Sequence, residues 1–116
     1  MWASLRSDLS RFEIFVALEG AKAVGGIGVW AFNGIINEFG AVRSLYGAKK
    51  NLYAGDILKW EIIKWGNADG LRCYDLEGVS PDPQSEKDAA IRQFKEKWGG
   101  MLKRYGIFTK RYSRRA

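Results

Sequence analysis

Histidine, the side chain on which many hydrolytic and metal-dependent enzymes rely, is missing from this sequence of 116 residues. It contains no histidine and a single cysteine, Cys73. Ser-His-Asp and Cys-His mechanisms, histidine-ligated metals, an internal disulfide and a cysteine-rich zinc site are therefore excluded within this chain. We expect Cys73, which lies in an apolar stretch, to be a buried small hydrophobic residue rather than a nucleophile. Catalysis would then rest on positioning and on oxyanion stabilisation, and no bound metal is expected.

Asp75 is the candidate acid or base. It lies at the end of a predicted strand, beside the loop after a parallel strand, where the ligand sites of α/β sheets gather. There its carboxylate would orient an amine nucleophile or accept its proton. The alternative is a structural role, in which Asp75 caps the following loop or pairs with Arg72 or Lys95. The neighbouring Tyr74 is a candidate substrate-binding ring, or else part of the core or of the sheet surface.

Basic residues are concentrated towards the C-terminal end. Residues 92–116 hold nine basic residues and one acidic residue, a net charge of +8, whereas the whole chain carries +6. Residues 1–91 are nearly neutral, with ten basic and twelve acidic groups. A basic end favours polyanions such as tRNA, nucleotide phosphates or an anionic lipid surface. A solvated basic tail over residues 109–116 is the alternative explanation.

Length and composition predict a folded single domain over residues 1–116, because a chain of this size buries one core. Hydrophobic residues make up 47% and aromatic residues 14%, which excludes disorder as the main state. No apolar run reaches the roughly 18 residues that span a bilayer, and no secretory signal begins at Met1. We therefore expect a cytoplasmic protein, whose contact with an anionic membrane, if any, is peripheral.

Hydrophobic periodicity predicts the elements that position these side chains. They are a helix end over residues 2–10, strands over 12–18, 23–32 and 35–42, a helix over 54–69, a strand over 71–76, a helix over 85–98 with Ser85 as its N-cap, and a last strand over 101–112. Asn33-Gly34 marks a hairpin, and the third strand, helix and fourth strand form a parallel βαβ unit. The result is an α+β fold of order β-β-β-α-β-α-β, a mixed sheet with antiparallel hairpins followed by one parallel βαβ step.

This element order is similar to the later part of the GNAT acyltransferase fold. Three stretches also resemble the Fem family of peptidoglycan-bridge aminoacyltransferases, which is GNAT-like. Residues 51–65 resemble the family's N-x-L-L-x-W-E-x-I-K-W-A helix, residues 70–79 its G-x-x-x-Y-D-L-G-G-V stretch, and residues 91–100 its L-Y-R-F-K-x-G-F-G-G stretch. The resemblance covers residues 12–108, which correspond to the later part of one of the family's two domains. Glycines of the family are replaced by Glu77 and Lys97.

The resemblance implies transfer of an aminoacyl or acyl group to an amine, with aminoacyl-tRNA as donor, a muropeptide precursor as acceptor and no cofactor. It places the pair Phe94 and Lys95 at the acyl-transfer centre, where we also expect Asp75. A fixed ammonium such as that of Lys95 stabilises a tetrahedral oxyanion; a solvated lysine on a basic helix face is the alternative. The candidate substrate-binding residues are Tyr74, Tyr46, Arg43 and Lys97.

Two other functions stay open from the sequence: a CoA-dependent N-acyltransferase, and a non-catalytic binding or assembly module with a partial GNAT-like fold. CoA-dependent GNAT enzymes carry a Q/R-x-x-G-x-G/A loop whose backbone N–H groups bind a pyrophosphate. Residues 43–48 read R-x-x-x-G-A, one residue out of step with that pattern, which counts against CoA. An incomplete sheet leaves an edge that favours pairing, so we expect a homodimer.

Overall fold

The computed structural model describes residues 10–113, and the chain divides between Gly78 and Val79 into two units that are described separately. In the described part of the chain, the first unit holds a four-stranded sheet and two helices, and the second holds one helix. The helix predicted over residues 2–10 lies outside the described residues, except for Ser10, which begins the first strand. Within residues 10–113, no helix has the length and apolar character needed to cross a bilayer.

Three long strands form two antiparallel hairpins. β1 spans Ser10–Glu19, β2 spans Lys22–Phe32 and β3 spans Ile35–Arg43. At the second turn Asn33 and Gly34 both have positive φ, 52° and 77°, as a two-residue turn of type I′ requires. The hairpin predicted at Asn33-Gly34 is therefore confirmed.

A helical crossover connects β3 to the fourth strand. Helix α1 spans Leu45–Lys49, helix α2 spans Ala54–Ala68 and β4 spans Cys73–Asp75. β4 pairs with β3 in parallel, so the sheet order is β1-β2-β3-β4. The predicted fold class is confirmed: an α+β fold whose mixed sheet has antiparallel strands and one parallel step.

The hydrophobic core lies between α2 and one face of the sheet. Ile27, Val29 and Ile36 of the strands pack against Leu58 and Ile62 of the helix, and each is at most 3% exposed. Burial of each such side chain contributes about 1.5–3 kcal/mol. The core is surrounded by the partly buried residues Phe15, Ala17, Trp65, Leu71 and Tyr74. This packing fixes α2 across β2 and β3.

The opposite face of the sheet is apolar and open. Ile14 is 72% exposed, Val16 52% and Val42 74%. These side chains line a groove of about 550 Å³, together with Gly26 and Gly28, which have no side chain to fill it. The open face is therefore a surface on which an apolar ligand or segment can lie.

The second unit contains helix α3, which spans Glu86–Glu96. Ser85 caps it, because the Ser85 Oγ accepts the N–H of Asp88 at 3.1 Å, as the sequence predicts. Arg92 donates to the carbonyl of Pro81 at 2.8 Å, which ties the preceding loop to the helix.

The last strand predicted over residues 101–112 is not formed. Residues 100–113 have no regular secondary structure, and every residue from 101 to 113 is exposed. A strand exists only where its N–H and C=O groups meet those of another strand. The amphipathic pattern of this stretch is therefore not sufficient to make it a strand.

Candidate functional site

β4 ends at Asp75 while β3 continues, and we call the point where their pairing ends the fork. Their parallel ladder runs from Ile35 opposite Cys73 to Asn37 opposite Asp75. Beyond it β3 continues to Arg43, and within residues 10–113 no strand pairs with this side of β3 after the fork. Its peptide N–H and C=O groups therefore offer an edge to an extended ligand.

A bulge in β3 lies directly after the fork. Gly28 of β2 is opposite Gly40, whereas Val29 is opposite Glu38, so Phe39 is the extra residue. A Cβ atom on Gly28 would lie 2.5 Å from the Phe39 ring, so only glycine allows the ring to occupy this position. The bulge thus interrupts the ladder between β2 and β3 two residues after the last pair of the ladder between β3 and β4.

A buried polar network lies on the helix side of the fork. Lys59 of α2 and the hydroxyl of Tyr74 both donate to the carboxylate of Glu38. The side chains of Lys59 and Glu38 are 6% and 13% exposed. Lys59 Nζ also lies 5.5 Å from the centroid of the Tyr74 ring. A buried carboxylate with two donors is fixed in position, so the network links α2, β3 and β4 rigidly.

Burial raises the pKa of Tyr74, and its hydrogen bond to Glu38 raises the pKa further. Tyr74 therefore stays a neutral hydrogen-bond donor at physiological pH. The hydroxyl of Tyr74 is therefore occupied as a hydrogen-bond donor in the buried network with Glu38 and Lys59.

The motifs of the sequence do not indicate a role for Glu38 or Lys59. Both lie close to apolar residues of the core: Glu38 follows Ile35 and Ile36 in β3, and Lys59 follows Leu58 in α2. A charged residue on a face that helical spacing predicts to be buried is a usable signal, because such a charge needs a buried partner. The sequence does not show which strand residue is that partner.

Asp75 ends β4 at the fork. Its carboxylate accepts the N–H of Glu77 at 2.8 Å. Glu77 has a φ of 66°, so the chain turns sharply here. The loop-capping role that the sequence left open is therefore present, and the carboxylate is also exposed beside the open edge of β3.

Cys73 is exposed, so the prediction that it is a buried hydrophobic residue is wrong. The reason is alternation along β4. The side chain of Tyr74 points towards α2 and the core, which places Cys73 and Asp75 on the opposite, open face.

The turn from β3 into α1 is closely packed. Ser44 caps α1 through its Oγ, which accepts the N–H of Gly47 at 3.0 Å. A Cβ atom on Gly47 would lie 3.0 Å from the carbonyl oxygen of Val24, so glycine allows α1 to approach β2. Arg43 precedes this turn and contributes to the lining of the open groove.

Tyr46 lies among charged side chains at the start of α1. Lys22 Nζ is 3.9 Å and Lys50 Nζ is 4.7 Å from the centroid of its ring. Its hydroxyl donates to Glu19 at 3.4 Å. The pKa of Lys50 is raised, mainly by its interaction with Tyr46 and then by the negative charge of Glu19. Tyr46 is therefore part of a basic surface near Arg43.

The remaining candidates belong to the second unit. Lys95 lies in the last turn of α3, and Lys97 caps its C-terminus. Lys97 Nζ is 4.4 Å from the centroid of the Phe94 ring and 6.0 Å from that of Trp98. Phe94 and Lys97 are thus brought together, while Arg43, Tyr46, Tyr74 and Asp75 lie in the first unit.

Comparison with known proteins gives likeness of structure alone. No family model matches the chain, and no curated protein matches it. The solved structure of AAC(6')-Iy with the bisubstrate analogue CoA-S-monomethyl-acetylneamine is similar, with a TM-score of 0.64, 16% identity and coverage of 94% of this chain and 74% of that chain. The structure of the aminoglycoside N-acetyltransferase AAC(6')-Iy in complex with CoA is also similar. Its TM-score is 0.56, with 17% identity and coverage of 94% of this chain and 80% of that chain.

A protein from Pyrococcus furiosus described as an acetyl transferase is also similar, with a TM-score of 0.63, 19% identity and coverage of 96% of this chain and 72% of that chain. At these identities the likeness establishes the fold. The GNAT-like fold predicted from the sequence is therefore confirmed, and membership of the Fem family stays a prediction.

Proposed function

We propose that this chain transfers an acyl group from a CoA thioester to an amine. The observation that carries the proposal is the open edge of β3 between Asn37 and Arg43. The pantetheine arm of CoA is extended and carries amide groups, so it would add to this edge through main-chain hydrogen bonds. AAC(6')-Iy, which is similar in fold, was solved with CoA and with a CoA-linked analogue, and this supports the choice of donor.

The basic surface at the end of β3 would hold the phosphate end of this donor. Arg43, Lys49 and Lys50 are exposed at the turn into α1 and in the residues that follow it, and Lys22 lies over Tyr46. A cluster of cations raises the local concentration of a polyanion and orients it. The thioester would then lie at the other end of the edge, at the fork.

The reaction needs one proton acceptor at the fork. The amine nitrogen attacks the thioester carbonyl, a C–N bond forms, the C–S bond breaks, and the proton lost by nitrogen ends on the departing sulfur. In this proposal Asp75 accepts that proton and passes it to the sulfur, and its exposure at the fork end of β4 supports the role. The roles predicted for Phe94, Lys95 and Lys97 concern the second unit and stay predictions.

A second donor, aminoacyl-tRNA, is favoured by the sequence. The three stretches that resemble the Fem family lie in order along the chain, and residues 92–116 carry the net charge of +8 that would attract RNA. The acceptor would then be a muropeptide precursor. The two donors share the acyl-transfer chemistry and differ in what occupies the edge of β3.

The test is release of free CoA thiol from acetyl-CoA in the presence of a panel of primary amines. We expect turnover with at least one amine, and Asp75→Asn should lower kcat by about 100-fold or more. Asp82→Asn, which changes another exposed aspartate, should leave kcat unchanged. Turnover of aminoacyl-tRNA without turnover of acetyl-CoA would replace the donor. CoA binding without any turnover would favour the non-catalytic module.

A further inference from the structure

The stretch after α3 presents large apolar side chains to solvent. We call residues 101–113 the C-terminal segment. Ile107 and Phe108 are each 95% exposed, Met101 is 83% exposed and Tyr105 82%. Soluble chains rarely leave so many apolar side chains uncovered in one continuous stretch. The segment is therefore a surface that needs a partner.

The charge of the C-terminal segment restricts the partner. The segment contains the basic residues Lys103, Arg104, Lys110 and Arg111 and no acidic residue. Lys110 Nζ lies 5.1 Å from the centroid of the Tyr112 ring, so cation and aromatic ring are presented side by side. A partner that satisfies both groups is apolar and negatively charged at once.

The spacing of the apolar residues is that of a helix, although the segment has no regular secondary structure in the free chain. Met101, Tyr105, Phe108 and Tyr112 are separated by four, three and four positions, which places them on one side of an α-helix. The basic pairs 103–104 and 110–111 recur after seven positions and fall on the other side, with Ile107 between them. Folding would thus sort the segment into an apolar and a basic face.

We propose that the C-terminal segment binds an anionic lipid surface and folds there into a helix that lies in the interface. Interfacial helices combine a basic polar face with large apolar residues on the other face. The aliphatic residues decide between lipid and RNA. Met101 and Leu102 gain nothing from stacking on bases, whereas burial among acyl chains removes their surface from water.

The experiment is sedimentation of the whole chain with vesicles, combined with far-ultraviolet circular dichroism. Phosphatidylcholine vesicles containing phosphatidylglycerol should bind the chain and increase its helix content. The affinity for pure phosphatidylcholine vesicles should be lower by about tenfold or more. The double variants Met101→Ser/Phe108→Ser and Lys110→Gln/Arg111→Gln should each lower binding by about tenfold or more. Gly106→Ala should strengthen it, by up to about fivefold, because alanine favours the helix.

Matched controls change equivalent exposed residues outside the segment. Tyr53→Ser removes an apolar side chain that is 72% exposed, and Lys64→Gln/Lys87→Gln removes two exposed charges. Both should bind like the unchanged protein. Equal binding to pure phosphatidylcholine, or binding without a gain of helix, would overturn the proposal. So would tight binding of an RNA oligonucleotide that is lost in the charge variant and kept in Met101→Ser/Phe108→Ser.

Discussion

Glu38 receives hydrogen bonds from Lys59 and Tyr74 beneath α2, and this makes its carboxylate a fixed point next to the fork of the sheet. Taking charges out of water is costly, and the mutual attraction of a buried pair offsets that cost only when its geometry is good. Removal of one partner of such a pair costs about 3–5 kcal/mol. We therefore interpret the network as a brace that keeps α2, β3 and β4 in register around the candidate site.

Tyr74 predicts a loss of stability at alkaline pH. Its pKa is raised in the folded chain, first by burial and then by Glu38, whereas in the unfolded chain it ionises near pH 10. The folded state then binds the proton more tightly, so this contribution to the unfolding free energy is complete below about pH 10 and is lost as the pH rises above it. The measurement is the unfolding free energy against pH, by urea denaturation.

Tyr74→Phe should lose about 1 kcal/mol near neutral pH, because the hydrogen bond is removed. Its stability should then fall less steeply than that of the unchanged chain above about pH 10. Tyr53→Phe is the control, since Tyr53 is 72% exposed. Parallel curves for the unchanged chain and Tyr74→Phe would show that Tyr74 ionises as freely in the folded chain as in the unfolded chain.

Among the site residues, the sequence was informative about position and less so about surroundings. Asp75 was predicted at a strand end, and it lies there. That its oxygen accepts the N–H of Glu77 depends on a turn with positive φ at Glu77, a position that the sequence marks only through the glycine of the resembling family. The burial of Cys73 was predicted wrongly, because an apolar neighbourhood does not reveal that β4 is an edge strand with one open face.

At the scale of elements, the close approach of α2 to β2 depends on a glycine. A Cβ atom on Gly25 would lie 2.9 Å from the Cβ of Ala54 and 3.3 Å from the carbonyl oxygen of Val42. Neither atom is the end of a flexible side chain, so the backbone of the helix or strand would have to move. The start of α2 is thus held against the sheet at contact distance.

Gly25→Ala should therefore destabilise the chain by about 1–3 kcal/mol, through overpacking. Gly40→Ala is a matched change in β3, where nothing lies within 4 Å of an added Cβ atom. It should be neutral or stabilising by up to about 1 kcal/mol, because it restricts the unfolded chain. Urea denaturation of both variants measures the difference. Equal losses would show that α2 does not approach β2 this closely.

The predicted elements agree with the structure where hydrophobic period and turn chemistry act together. The hairpin at Asn33-Gly34, the helix Ala54–Ala68 and the cap at Ser85 are examples. Helix α1 was missed because five residues are too few to show a period. The prediction of the last strand rests on local pattern alone, and a strand also needs pairing with another strand, which local pattern does not reveal.

For the whole molecule, the GNAT-like fold and the open edge of β3 lead to acyl transfer as the proposed function. The solved structures that resemble the chain extend beyond it, since the chain covers 72–80% of their length. The predicted homodimer and the tRNA donor stay predictions. The basic, apolar C-terminal segment adds a surface that the transfer chemistry does not use.

Binding of CoA along the open edge of β3 is tested most directly by titrating the isotope-labelled chain with CoA and following the backbone amide signals by NMR. We expect saturable chemical-shift changes that are largest along residues 38–43, at the turn into α1 and at Asp75, because the pantetheine arm would pair with the open edge of β3. Shifts confined to other strands would contradict the site. The absence of any shift at millimolar CoA would contradict CoA as the donor.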